Sequence, residues 1–171
     1  MLPVVLACLL SGLAPGVVQA PPGDGEVRSW KDGITGDSHS SLTLLLRGPK
    51  GPLKINFVIT TIHRAKARRD APPDVTFVFY MPLYSGKLDY KAPQVTIVIN
   101  RNQKGQVTST ANVDGRFGTG LTSVTMPADV DELQRLAKAK AIDGHLFGIE
   151  YALTDRQLKA IEVFAERQVR R

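Results

Sequence analysis

Between Leu42 and Ile99 the chain keeps a period of two. Leu42, Leu44 and Leu46 alternate with Thr43 and Leu45. Leu53, Ile55, Phe57 and Ile59 alternate with Lys54, Asn56 and Val58. Val75, Phe77 and Phe79 alternate with Thr76 and Val78, and Val95, Ile97 and Ile99 with Thr96 and Val98. Successive strand side chains face opposite sides, so each run lays one apolar face on a core. Val, Ile, Thr and Phe suit a pleated surface. Val58, Val78 and Val98 make the second faces partly apolar, which points to central strands or a second covered face.

Turn chemistry separates these runs. Gly48-Pro49-Lys50-Gly51-Pro52 divides the runs at 42–46 and 53–59. Asn102-Gln103-Lys104-Gly105 precedes Val107, Ala111 and Val113, and Asp114-Gly115 leads to Phe117 and the Leu121–Met126 run. This spacing predicts an antiparallel β-sandwich, or a barrel-like sheet.

The period then changes. Asp129 with Glu132 three residues on has the pattern of a capping box, followed by a helical stripe of Val130, Leu133, Leu136 and Ala137. A strand is expected next, with Phe147, Ile149, Tyr151 and Leu153 on one face. Thr154 with Gln157 is a second capping box. It opens a last helix bearing Leu158, Ile161, Phe164 or Ala165, and Val169, with basic residues at its end that suit the helix dipole. The expected class is α+β, mainly β, with two C-terminal helices at one end or face of the sheet.

Residues 1–20 carry no Asp, Glu, Lys or Arg and end in small residues, so they read as a secretory signal. Pro3, Gly12, Pro15 and Gly16 break the run too often for a membrane-spanning helix. A lipoprotein alternative uses Cys8 after Val5-Leu6-Ala7, but the apolar stretch ahead of it is short and the residues after it stay apolar. Cys8 is the one cysteine. Without it the domain has no disulfide, thiol nucleophile or cysteine–metal site. Residues 21–26 read as a flexible Pro/Gly linker, and 27–171 as a single β-rich domain. Such a length can bury roughly 70% of the unfolded chain's surface in one core. It excludes a multi-domain machine, a collagen, a coiled coil and a polytopic membrane protein. The expected location is periplasmic or extracellular.

Gly36-Asp37-Ser38-His39 has the residue types of an esterase nucleophile block, in which Ser38 would need a His base oriented by a carboxylate such as Asp37. The segment before it, Trp30-Lys31-Asp32-Gly33, is polar, and Asp143-Gly144-His145 is the nearest thing to a C-terminal acid–base pair. A polar loop is the expected reading. His39, His63 and His145 lack the spacings that pair zinc ligands. No metal and no cofactor is expected, and His145 is expected to be a half-buried strand residue. Gly115 to Gly120 imitates a phosphate loop but lies between strands, where hairpin bends explain it.

The net charge of +6 is concentrated in Arg64, Lys66, Arg68 and Arg69 and at the C-terminus. Such a loop can hold anionic groups. It has no interleaved aromatics for base stacking, so an anionic envelope surface, a polysaccharide or another envelope protein is the expected partner rather than nucleic acid. Tyr80, Tyr84 and Tyr90, near Lys87 and Lys91, form a second candidate contact surface.

The layout of Trp30, the Leu42-Thr43-Leu44 strand, the helix around Leu133 and Leu136, and the Phe147 to Leu153 strand before a last helix resembles small secreted bacterial β-sandwich proteins of the invasion-associated locus B type. Those proteins usually carry cysteines, and this domain does not. The resemblance implies an exported β-rich protein and carries over no catalytic residue. The leading expectation is a non-catalytic binding or envelope-associated module. The alternatives are a small secreted hydrolase using Ser38, and a structural subunit assembling through an edge strand.

Overall fold

A computed structural model describes residues 23–68, 71–82, 94–101, 107–110, 112–114, 121–146 and 148–169. The elements in chain order are β1 (Glu26–Lys31), β2 (Ser38–Gly48), β3 (Gly51–His63), β4 (Asp74–Pro82), β5 (Gln94–Ile99), β6 (Val107–Thr110), β7 (Asn112–Asp114) and β8 (Leu121–Ala128). There follow α1 (Val130–Ala137), β9 (Ile142–Leu146), β10 (Ile149–Ala152) and α2 (Asp155–Val169).

All strand pairings are antiparallel, in one sheet ordered β6-β5-β9-β10-β2-β3-β4-β8-β7. The fold is therefore α+β and mainly β. Of the two expected forms, the barrel-like one describes it, because the strands make one curled sheet, a half-barrel. The ends of the path, β6 and β7, are separated in sequence by a single residue, Ala111.

The period-two runs decide which face is inside. Leu42, Leu44, Leu46, Ile55, Phe57, Ile59, Phe77, Phe79, Ile97 and Met126 are buried on one side of the sheet. Phe57 and Phe79 are direct cross-strand partners, and their rings stack at 4.7 Å. Leu133 and Leu136 of α1 and Ile161, Phe164 and Ala165 of α2 close this core. The expected helix stripe thus uses both Phe164 and Ala165. On the outer face Val58 pairs with Val78. Both are half-buried, as central-strand residues are.

Both capping boxes form. Asp129 accepts from the Glu132 N–H at 2.7 Å, and Glu132 accepts from the Asp129 N–H at 3.1 Å. Thr154 and Gln157 make the same exchange at the start of α2.

Three local features differ from the sequence expectation. The strand predicted through Ile149, Tyr151 and Leu153 forms as β10, but it is one arm of a hairpin with the unanticipated β9, the chain turning at Gly148 with φ +77°; Phe147, also assigned to that strand, lies outside the described residues. In consequence His145 is exposed rather than half-buried, while Gly144 and Leu146 point inward. Residues 23–26, expected as part of a loose linker, make a turn that enters β1. The Glu26 N–H donates to the Gly23 carbonyl at 3.0 Å. Finally, β1, which pairs Glu26–Lys31 with Thr43–Ser38, has no counterpart in the sequence expectation, and β2 already begins at Ser38, inside the stretch expected to be a polar loop.

That last pairing makes the edge of β2 fork. β1 covers residues 38–43 of β2, and β10 meets the same edge at Arg47. Between them Leu45 is served by side chains. Its N–H donates to Asp24 at 2.9 Å, and its carbonyl accepts from the Gln157 amide at 2.7 Å.

Candidate functional site

The turn between β1 and β2 and the loop between β3 and β4 lie together at one end of the sheet, and Asp37 joins them. One carboxylate oxygen accepts from the Ala65 N–H at 2.8 Å, and the other from the Arg64 guanidinium at 3.3 Å. The Ala65 amide foremost, then the Thr35 hydroxyl and Arg64, hold the Asp37 carboxyl below the ordinary aspartate range, against the opposing effect of desolvation. Arg64 also donates to Asp74 at 2.7 Å. Its guanidinium is thereby held protonated by Asp74 first and Asp37 second.

The β1–β2 turn is itself tightly organised. The Asp32 carboxylate accepts from the backbone N–H groups of Ile34 at 2.8 Å and Thr35 at 2.7 Å. This is an Asx-type turn. The Thr35 and Ile34 amides, in that order, lower the Asp32 carboxyl from its usual range. The Asp32 N–H donates to the Asp37 carbonyl at 2.8 Å, closing the turn at its base.

Trp30 and His39 are cross-strand partners whose rings stack at 5.1 Å with 10° between planes. They lie on the outer face. The side chain of Trp30 is half exposed, and Ile34 at the turn's tip is almost fully exposed. Lys31 at the end of β1, and Lys66 and Arg68 on the β3–β4 loop, are exposed as well. The result is a rigid end carrying two apolar side chains and several cations.

The sequence-predicted residues are distributed as follows. Of the basic run, Arg64 is a structural tie, Lys66 and Arg68 lie on the exposed loop, and Arg69 is outside the described residues. Tyr80 is exposed on β4, six residues along the strand from Asp74. At about 3.3 Å per residue that is about 20 Å from the Arg64 contact, so Tyr80 stands apart from the basic loop. Tyr84, Tyr90, Lys87, Lys91 and the Gly115 to Gly120 segment lie outside the described residues, as do residues 1–20.

The nucleophile-like block is split by the strand alternation. Ser38 faces the inner side and is the direct partner of His63 on β3. His39 faces outward onto Trp30. Asp37 is committed to the Ala65 amide and Arg64. The inner-face neighbourhood of Ser38 is polar: Ser40 shares a hydrogen bond with Ser29 at 2.9 Å, and Thr61 donates to Gln168 at 3.3 Å. His63 Nε2 is buried with no hydrogen-bond partner among the described residues.

His145 is opposite Glu150 on the β9–β10 hairpin, beside a shallow cavity of about 520 Å³ that Arg47, Asp143 and Tyr151 also line. Among the described residues no group of three or more His, Cys, Asp or Glu is placed to hold a metal ion, and no helix is long and apolar enough to cross a membrane.

Sequence reasoning missed Trp30 and Ile34 as surface features. The available signal was two large apolar residues standing singly in the polar stretch Lys31-Asp32-Gly33, where no core face can receive them.

No protein-family model matches the chain. No curated protein and no solved structure matches it either. The functional reading therefore rests on the residues themselves.

Proposed function

We propose that this chain is an exported, non-catalytic binding module that holds to an anionic envelope surface through the end where the β1–β2 turn meets the β3–β4 loop. The observation that carries this reading is the Asp37 contact with Ala65 and Arg64. It fixes the exposed cations of one loop beside the exposed apolar residues of the other. Arg64 is neutralised there by Asp74 and Asp37, so the cations this reading rests on are Lys31 and Lys66, both exposed. Each cation near an anionic surface contributes about 1 kcal/mol.

Retention on an anionic surface at low salt tests the reading. The double variant Lys31→Glu/Lys66→Glu is expected to lose at least about tenfold in retention, with its thermal denaturation unchanged. Retention of wild type should also fall as salt is raised. Equal retention of the variant and the wild type would reject this surface.

One observation favours a second reading, an acyl-transfer site. Ser38 and His63 are opposed on one face, where partners bring their Cβ atoms to about 4.5–5.5 Å. In that reading His63 is the base that activates the Ser38 hydroxyl. A fluorophosphonate probe would label Ser38, and His63→Ala would abolish the labelling. Absence of labelling in the wild type would remove this reading.

A further inference from the structure

The β1–β2 turn holds an isoleucine out in solvent on a rigid support. Ile34 is 98% exposed, and Trp30, four residues earlier, is 50% exposed. Ile34 stands at the tip of the turn and Trp30 on the adjoining strand, stacked on His39, so both exposed apolar side chains belong to this end. The tip is pinned by the Asp32 carboxylate on the Ile34 and Thr35 amides, and by the Gly36 N–H donating to the Asp32 carbonyl at 2.9 Å. A tip already ordered loses little further freedom when it enters a partner. The stem of Lys31 passes near Gly36, and Ala65 lies against the same glycine. Lys66, the next residue, is exposed.

An apolar tip flanked by ammonium groups, with a tryptophan on its shoulder, has the chemistry of an interfacial anchor. Such an anchor puts its aliphatic residue among acyl chains, its indole at the headgroup boundary and its cations on phosphates. An acidic polysaccharide would engage the lysines and offer Ile34 nothing apolar. We infer that the partner of this end is an anionic lipid bilayer, and that Ile34 enters its acyl region with Trp30 at the boundary. The inference rests on the reading of this end as the binding end.

Trp30 is the single tryptophan of the chain, so its fluorescence reports this end alone. The protein purified from its host would be mixed with vesicles of phosphatidylglycerol and phosphatidylcholine in equal parts, with phosphatidylcholine vesicles, and with polygalacturonate. On the anionic vesicles Trp30 emission should shift to the blue and be quenched by bromine-labelled acyl chains. Ile34→Ser should remove the quenching and weaken vesicle binding about tenfold, with thermal denaturation unchanged. Vesicle binding with no quenching, or quenching that survives Ile34→Ser, overturns insertion while leaving an anionic-surface module standing. Binding to polygalacturonate and not to vesicles overturns the bilayer and also leaves that module standing. Binding to neither overturns both.

Discussion

The side-chain amide of Gln157 donates to the Asp24 carboxylate at 2.7 Å, joining residues 133 positions apart. The same nitrogen donates to the Leu45 carbonyl at 2.7 Å, and the same Asp24 oxygen accepts from the Leu45 N–H at 2.9 Å. Together the two side chains stand in for the neighbouring strand that Leu45 lacks where β1 and β10 diverge. Gln157 is 1% exposed, and a buried backbone group left unpaired there would cost about 1–3 kcal/mol.

Gln157→Glu should therefore be worse than Gln157→Ala. A carboxylate cannot donate, and it would face both Asp24 and the Leu45 carbonyl. Losses of about 3 and about 2 kcal/mol are expected in urea denaturation. Adding Asp24→Asn to Gln157→Glu restores a donor to the pair and should recover part of the loss. A Gln157→Glu protein as stable as wild type would remove this account of the fork.

Gly144 should tolerate no side chain. It is the cross-strand partner of Tyr151, whose hydroxyl donates to the Thr96 carbonyl at 3.1 Å. A Cβ at Gly144 would meet the Thr96 carbonyl oxygen directly and the Tyr151 hydroxyl at 2.6 Å. Burial first, and the nearby Asp143 second, push the Tyr151 phenol far above its ordinary range. Gly144→Ala is expected to lose about 3 kcal/mol by overpacking, measured by denaturant unfolding. A loss under about 0.5 kcal/mol would show that β5 and β9 can part at this point.

The Asp37 tie should appear as acid sensitivity. Its carboxyl is depressed in the folded protein, whereas an unfolded aspartate titrates near ~3.9. The tie therefore stabilises fully above the unfolded value and is lost as pH falls through the folded one. Wild type should melt above Asp37→Asn at neutral pH, and the gap should close below about pH 4. A gap that stays constant from neutral pH to about pH 2.5 would mean that Asp37 does not change its proton affinity on folding.

Asp129→Ala should destabilise the protein by about 1 kcal/mol, because it removes the acceptor that satisfies the Glu132 N–H at the start of α1. Asp129→Ser should retain most of that stability. The comparison by thermal denaturation separates the cap from any wider role of the carboxylate, since a serine hydroxyl accepts the same bond without the charge.

Residue pattern alone determined the inner face. Leu42 to Leu46, Ile55 to Ile59 and Val75 to Phe79 have one arrangement that puts Leu42, Leu44, Leu46, Ile55, Phe57, Ile59, Val75, Phe77 and Phe79 on the core side, and strand alternation leaves no other choice. Both helix starts were legible for a similar reason: a capping box is a bond between residues three apart, and the chain carries both partners locally. The tertiary structure decided what depends on distant partners. Strand order brought Asp24 to Gln157, and register set Ser38 against His63 while turning His39 onto Trp30. The basic run was visible in sequence, but that Arg64 is spent on Asp37 and Asp74 was not. Nor was the fact that an isolated Ile34 ends on a tip pinned by the Asp32 carboxylate. Local pattern fixes which way a side chain faces, whereas long-range pairing fixes what it meets.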